Sequence, residues 1–290
     1  MQRTKIQYLT HTWNPISMKC TPVSDGCKNC WHLRMAKRLN GMVSFHEDVQ
    51  MAYHGGDPVL RTDELSAPIK LRKSARIGVQ FMGDPFHQSI PFEWIASVYG
   101  VMAATPQHQY FVLTKRPVRA LEWYLWADAN VYSGSDRCIS FSQSALGTEL
   151  IPIHLGLDGR CPPEKRRPVK WPLDNIWFGV SIENQKTADE RLSLLLKTPA
   201  AKRWISYEPV LDKIKLWWEC DPNKIDFVVA GSETGPGARP CNPDWLRSVR
   251  DQCSDAGVPF FLKQIDAKCD RELDGRMHEE MYRNIKDYMC

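Results

Sequence analysis

The sequence predicts an α/β protein built as a partial or complete (β/α) barrel with parallel strands. Three observations predict it. Short β-branched and aromatic runs recur from residue 77 onward, segments of helical spacing separate them, and each run stops at polar or ionisable residues. A doubly wound open sheet shares the first two features and is the alternative.

The elements follow in order. A first strand falls near Gln7–Trp13, and Trp31–Leu39 reads as a helix beginning at Cys30. Six further runs read as strands: Ile77–Met82, Tyr110–Thr114, Ile176–Ile182, Arg203–Tyr207, Ile225–Ala230 and Pro259–Lys263. Phe92–Ala104, Val118–Ala127, Thr187–Leu196 and Pro243–Ala256 read as helices. Ser89-Ile90-Pro91-Phe92-Glu93 offers a cap, an early proline and an acid, and Asn242-Pro243-Asp244 repeats that logic. Residues 128–172 break the rhythm, with Ser, Gly and Pro but no period. A stretch of this length is a lid or binding insertion, or else a solvated surface loop. Arg160, Lys165, Arg166, Arg167 and Lys170 give its end a positive charge that suits a phosphate backbone.

The polar strand ends are Asp84, then Thr114-Lys115-Arg116, Ser181 with Glu183, Ser206 with Glu208, Ser232 with Glu233, and Lys263-Gln264. In parallel barrels the C-terminal strand edge is the catalytic face, because the βα loops converge there. One such end marks only where a strand stops. Six of them point to a lined pocket.

The 290 residues fit a single barrel domain, and 43% apolar with 25% charged residues suits a soluble chain. Neither a signal peptide nor an apolar stretch long enough for a membrane span is visible, so a cytoplasmic protein without membrane partners is expected. The net charge of +4 leaves room for a local basic patch without requiring a polyanionic partner.

Ten cysteines are many for a reducing compartment, where disulfides do not persist. Cysteines 138, 161, 220, 241, 253, 269 and 290 are scattered and read as isolated thiols. Cys20, Cys27 and Cys30 cluster with C-x6-C-x2-C spacing, and Pro22 and Gly26 make the segment a loop. Two metals compete for it. Structural zinc needs a fourth ligand, for which His32 or His11 is available. An iron–sulfur cube on three cysteines keeps one iron open for a small molecule. The loop's place after the first strand favours the cluster.

Several words along the chain carry a resemblance: Thr12-Trp13-Asn14-Pro15, Gly26-Cys27-Lys28-Asn29-Cys30, Gly83-Asp84-Pro85-Phe86 and Leu113-Thr114-Lys115-Arg116. Further words are Trp177 to Gln185, Ser206-Tyr207-Glu208-Pro209, Ala230 to Gly235, Ala238-Arg239-Pro240 and Phe261-Leu262-Lys263-Gln264. With these words the chain resembles the phage-associated three-cysteine-motif family, a divergent branch of the radical S-adenosylmethionine (SAM) superfamily related to thymidine hypermodification. Its first cysteine gap is longer than the common C-x3-C-x2-C.

The resemblance implies a barrel of radical SAM type. Cys20, Cys27 and Cys30 would hold a [4Fe-4S] cluster whose open iron chelates SAM. Reductive cleavage of SAM then yields a 5′-deoxyadenosyl radical, with electrons from a donor such as flavodoxin or ferredoxin. By their places at consecutive strand ends, Ser181, Glu183, Gly231, Ser232 and Glu233 are the candidates for SAM contacts. Asp84, Lys115, Glu208 and Lys263 are the candidates for the substrate side and catalysis.

The substrate is the least legible part. Arg34, Lys37 and Arg38, and separately Arg72, Lys73 and Arg76, form basic groups that suit nucleic acid or a solvated face equally. The phage resemblance favours a modified nucleobase in DNA, for example isomerisation of an amino-acid adduct on thymine. Base-lesion repair and RNA modification are alternatives, and a non-catalytic zinc or iron–sulfur nucleic-acid-binding module is the opposing class.

Overall fold

Every residue of Ile176–Ile182 and of Phe227–Gly231 is buried, which is the mark of strands covered on both faces rather than of amphipathic helices. The computed structural model describes residues 1–39, 46–131, 171–216, 225–266 and 270–281. Its strands are β1 (Gln2–Arg3), β2 (His11–Trp13), β3 (Ile16–Ser17), β4 (Val59–Leu60), β5 (Arg76–Val79) and β6 (Gln109–Thr114). They continue with β7 (Ile176–Ile182), β8 (Lys202–Tyr207), β9 (Phe227–Gly231), β10 (Phe260–Gln264), β11 (Glu272–Leu273) and β12 (Arg276–Met277).

Eight of these form one sheet in the order β1-β2-β5-β6-β7-β8-β9-β10. The pairs β2/β5, β5/β6, β8/β9 and β9/β10 are parallel, and β1 runs antiparallel to β2 at one edge. The sheet keeps two edges, β1 and β10, and is consistent with a partial (β/α) barrel. Two small antiparallel pairs, β3/β4 and β11/β12, stand outside it.

The contacts group into two compact units. The first comprises Met1–Thr21, Trp31–Trp177 and Thr198–Ala201. It contains helices α1 (Trp31–Leu39), α2 (Glu47–His54), α3 (Thr62–Leu65), α4 (Ala67–Lys70), α5 (Phe92–Ala104) and α6 (Pro117–Val131). Its core is aromatic. Trp123 lies against Phe86, Tyr99 and Trp171, and the Tyr99 and Tyr124 hydroxyls share a 2.9 Å hydrogen bond, so the polar tips of these large rings stay satisfied. Ala36, Val49 and Tyr53 join α1 to α2.

The second unit comprises Pro22–Cys30, Phe178–Lys197 and Lys202–Cys290, with helices α7 (Gln185–Lys197) and α8 (Pro243–Asp255). Gly179 is required here, because a Cβ at that position would stand 2.5 Å from Nε1 of the fully buried Trp204. Asn242 caps α8 as expected, its Oδ1 accepting the Asp244 N–H at 3.0 Å.

Several expectations need correction. The strand expected over Ile77–Met82 stops at Val79. Gln80 turns left-handed there (φ 54°), and its side chain bonds both the N–H (3.1 Å) and the C=O (2.6 Å) of Ile16. The first strand is shorter than Gln7–Trp13, because a turn precedes it in which the Leu9 N–H donates to Ile6 O. Ser89 does not cap α5: Pro91 takes the cap position, and the Ser89 hydroxyl bonds His87 Nδ1 at 2.7 Å. Helix α1, by contrast, spans Trp31–Leu39 as expected, directly after Cys30. Helix α6 extends to Val131, into the stretch expected to be irregular. The rest of that stretch, with Arg160, Lys165, Arg166, Arg167 and Lys170, lies outside the described residues, as do Cys138, Cys161, Cys220, Cys269 and Cys290. Among the described residues no helix is long and apolar enough to cross a membrane.

Candidate functional site

In the first unit the site is organised by Asp84, in the β5–α5 connection and 4% exposed. Its Oδ1 accepts from the Phe86 N–H (2.9 Å) and the Thr114 hydroxyl (2.8 Å), and its Oδ2 from the Lys115 N–H (3.0 Å) and Arg116 Nη1 (3.1 Å). A buried carboxylate with four donors is a scaffold centre. It joins the Gly83-Asp84-Pro85-Phe86 and Thr114-Lys115-Arg116 words across parallel strand ends. Arg116 carries the link onward. Its Nη2 donates to Thr21 O at 2.8 Å and Thr21 Oγ1 at 2.9 Å, while Nη1 lies 3.6 Å from Cys20 Sγ. Burial opposes the Arg116 charge, but Asp84 and Cys20 outweigh it and raise its pKa. The Cys20 N–H donates to His32 Nε2 at 3.3 Å.

In the second unit the segment Pro22–Cys30 is a series of tight turns. The Cys27 N–H donates to Ser24 O, Lys28 N–H to Asp25 O, and Cys30 N–H to Cys27 O, at 2.9 to 3.2 Å. Glu183, wholly buried where β7 gives way to α7, accepts the Ser24 hydroxyl at 2.8 Å and Arg191 Nη1 at 3.3 Å. Its own N–H donates to Thr187 Oγ1, which also takes the Asn184 N–H and so starts α7. Glu233, in the loop after β9, accepts Asn29 Nδ2 at 2.9 Å and the Arg239 N–H and Nε at 3.0 Å, and pairs with Arg239 Nη2. Burial works against the Glu233 charge, but hydrogen bonds from the Arg239 side chain, Asn29 and the Arg239 backbone win and hold its pKa at about 2.

Other expected residues of the second unit meet at the ends of β7 to β10. Lys263 Nζ donates to Glu208 Oε1 at 2.8 Å, and the Ser206 hydroxyl donates to Glu208 Oε2 at 3.2 Å. The Ser181 hydroxyl donates to Glu208 O at 3.4 Å, and Gln264 Nε2 to Ser232 O at 2.7 Å. Gly231 sits among them because a Cβ would come within 3.0 Å of both Glu208 Oε1 and Gln264 Nε2. Two of the four residues expected to act on substrate, Glu208 and Lys263, thus pair with each other. Lys115 is tied to Asp84 through its backbone.

Over residues 3–285 the chain matches the family described as protein of unknown function, DUF5131. The chain belongs to the DUF5131 family. No curated protein and no solved structure gives a match.

The match takes in both units of this DUF5131 chain and all three clustered cysteines. Cys20, Cys27, Cys30, Cys241 and Cys253 carry thiols rather than disulfides. Burial pushes the Cys241 thiol up to about 11 and raises Cys253 as well, which suits inert structural cysteines. Among the described residues, no three His, Cys, Asp or Glu side chains converge closely enough to hold a metal ion. His32 Nε2 accepts the Cys20 N–H, so the ring proton is on Nδ1, which is buried; burial also lowers the pKa of His32 to about 4. His11, in β2, is bonded through Nδ1 to Thr10 Oγ1.

Residues that sequence reasoning left out of the site are Ser24, Asn29, Arg116, Arg191 and Arg239. Arg191 had a signal: it lies on the apolar face of α7 with Ala188, Leu192 and Leu195, where a cation needs a buried anion. Asn29, Arg116 and Arg239 lay inside quoted motifs, but nothing local pointed to their partners.

Proposed function

We propose that this protein is a radical SAM enzyme in which Cys20, Cys27 and Cys30 hold a [4Fe-4S] cluster. The observation that carries the reading is the C-x6-C-x2-C spacing of three thiols, with Cys27 and Cys30 on a segment hydrogen-bonded to Glu183 and Glu233 just beyond the ends of β7 and β9. Such a cluster, when bound, supplies the electron for reductive cleavage of SAM, delivered to it by a donor such as flavodoxin or ferredoxin. The chain's own residues bind and orient. Ser181, Gly231 and Ser232 lie at strand ends where the amino-acid or nucleoside parts of SAM can be taken up. Glu208 and Lys263 balance one another's charge and present an acceptor beside a donor to the substrate. In the first unit Lys37, Arg38, Arg72 and Lys73 are exposed and can meet a phosphate backbone. The substrate proposed is a nucleobase on DNA, with isomerisation of a thymine adduct as the reaction.

Anaerobic protein reconstituted with iron and sulfide, then given dithionite and SAM, should form 5′-deoxyadenosine. Replacing Cys20, Cys27 or Cys30 singly by Ala should abolish both the cluster absorbance and the product, and DNA carrying the modified base should raise its yield. A colourless protein that takes up zinc alone, or an iron-loaded one that leaves SAM intact, would contradict the proposal.

A further inference from the structure

The turns carrying Cys27 and Cys30 are irregular and contribute few backbone bonds of their own, yet side chains of the second unit hold them from two directions. Ser24 donates to Glu183 at 2.8 Å. Asn29 Nδ2 donates to Glu233 Oε2 at 2.9 Å and to Gly237 O at 2.8 Å, and Arg239 Nη2 reaches Asp25 O at 2.9 Å. Each carboxylate has its own cation behind it, Arg191 for Glu183 and Arg239 for Glu233.

A carboxylate offers about four lone-pair sites. At Glu233, Oε2 accepts Asn29 Nδ2, the Arg239 N–H and Arg239 Nε, and Oε1 pairs with Arg239 Nη2. Breaking the bonds to Oε2 would leave donors of the loop unmatched. Glu183 turns Oε1 to both Ser24 and Arg191, with its side chain wholly buried.

We infer that Glu183 and Glu233 are positioning residues of the cysteine loop, holding Cys27 and Cys30 in place for a metal centre. What the thiols hold rests on the function proposed above; the holding of the loop does not.

The test therefore has a metal-free arm. In the apoprotein Cys27 is only 9% exposed, so a bulky maleimide should label it slowly, as read by mass spectrometry of the cysteine peptides. Asn29→Ala and Ser24→Ala each remove a loop-side donor and leave the buried carboxylates in place, so both variants should fold. Losing one such bond costs on the order of 1 kcal/mol, which predicts roughly five- to tenfold faster labelling of Cys27. In the loading arm, Glu233→Gln and Asn29→Ala should take up less iron and sulfide per chain, while the fraction that loads binds SAM as tightly as wild type. Unchanged Cys27 labelling in both loop variants overturns the inference. So does a Glu233→Gln protein that loads fully but has lost SAM affinity. If wild-type protein takes up no iron while the labelling contrast holds, the enzyme reading fails and the loop-holding role stands.

Discussion

Asp84 and Glu233 each gather several donors on one buried carboxylate, but the first has lasting consequences for stability and the second for pH dependence. Four donors converge on Asp84, among them the Arg116 guanidinium, whose side chain is 11% exposed. Removing the carboxylate strands that buried cation and three neutral donors together. Asp84→Ala should therefore destabilise the protein by about 3 kcal/mol or more, the range for breaking a buried pair from one side. Urea unfolding gives the check: a midpoint shift worth under 1 kcal/mol would mean that Asp84 is not a scaffold centre. For Glu233 the folded pKa of about 2 lies below the usual 4.5. A depressed carboxylate stabilises the fold above pH 4.5, and that stability is lost as pH falls toward 2. Linkage puts the full contribution at about 3 kcal/mol as an upper bound. Between pH 6 and pH 3 wild type should accordingly lose more unfolding free energy than Glu233→Gln. Equal losses would show that the Arg239 and Asn29 bonds do not set the charge state.

Among the elements, α8 and α7 show how far local signals reach. Helix α8 was legible at its start because Asn242, Pro243 and Asp244 are the residues that cap a helix, satisfy its first turn and favour its dipole. Replacing Asn242 by Ala removes one accepted N–H bond and should cost about 1 kcal/mol, whereas Asn242→Asp should cost little. Chemical unfolding of the two variants side by side tests this, and equal stability of Ala and Asp would contradict it. Helix α5 shows the opposite case. Its span was legible from its apolar run, but its cap was not, because the Ser89 hydroxyl is taken by His87. Strand β5 ended early for a similar reason: the Gln80 side chain found a better use in bonding the Ile16 backbone than Gln80 had in extending the sheet.

At the scale of the whole molecule, strand–helix alternation was readable because it rests on the spacing of apolar residues, a property of neighbours in the chain. That spacing located β6 to β10 and α5 to α8 to within a few residues, and predicted the parallel order that β2, β5 and β6, and β8 to β10, adopt. The C-x6-C-x2-C spacing was equally local, and with Pro22 and Gly26 it marked the segment as a loop carrying clustered thiols. The partners of the acidic strand ends were another matter. Ser24 meets Glu183 across 159 positions, and Asn29 meets Glu233 across 204. Periodicity carries no information over such distances. The sequence by itself determined which residues end strands and which are thiols. Only the tertiary structure decided that Asp84 would gather Arg116, that Glu183 and Glu233 would turn to the cysteine loop, and that His32 would bond the Cys20 backbone. Burial is the physical reason: a carboxylate or imidazole taken out of water must find its hydrogen bonds among the groups the fold brings beside it.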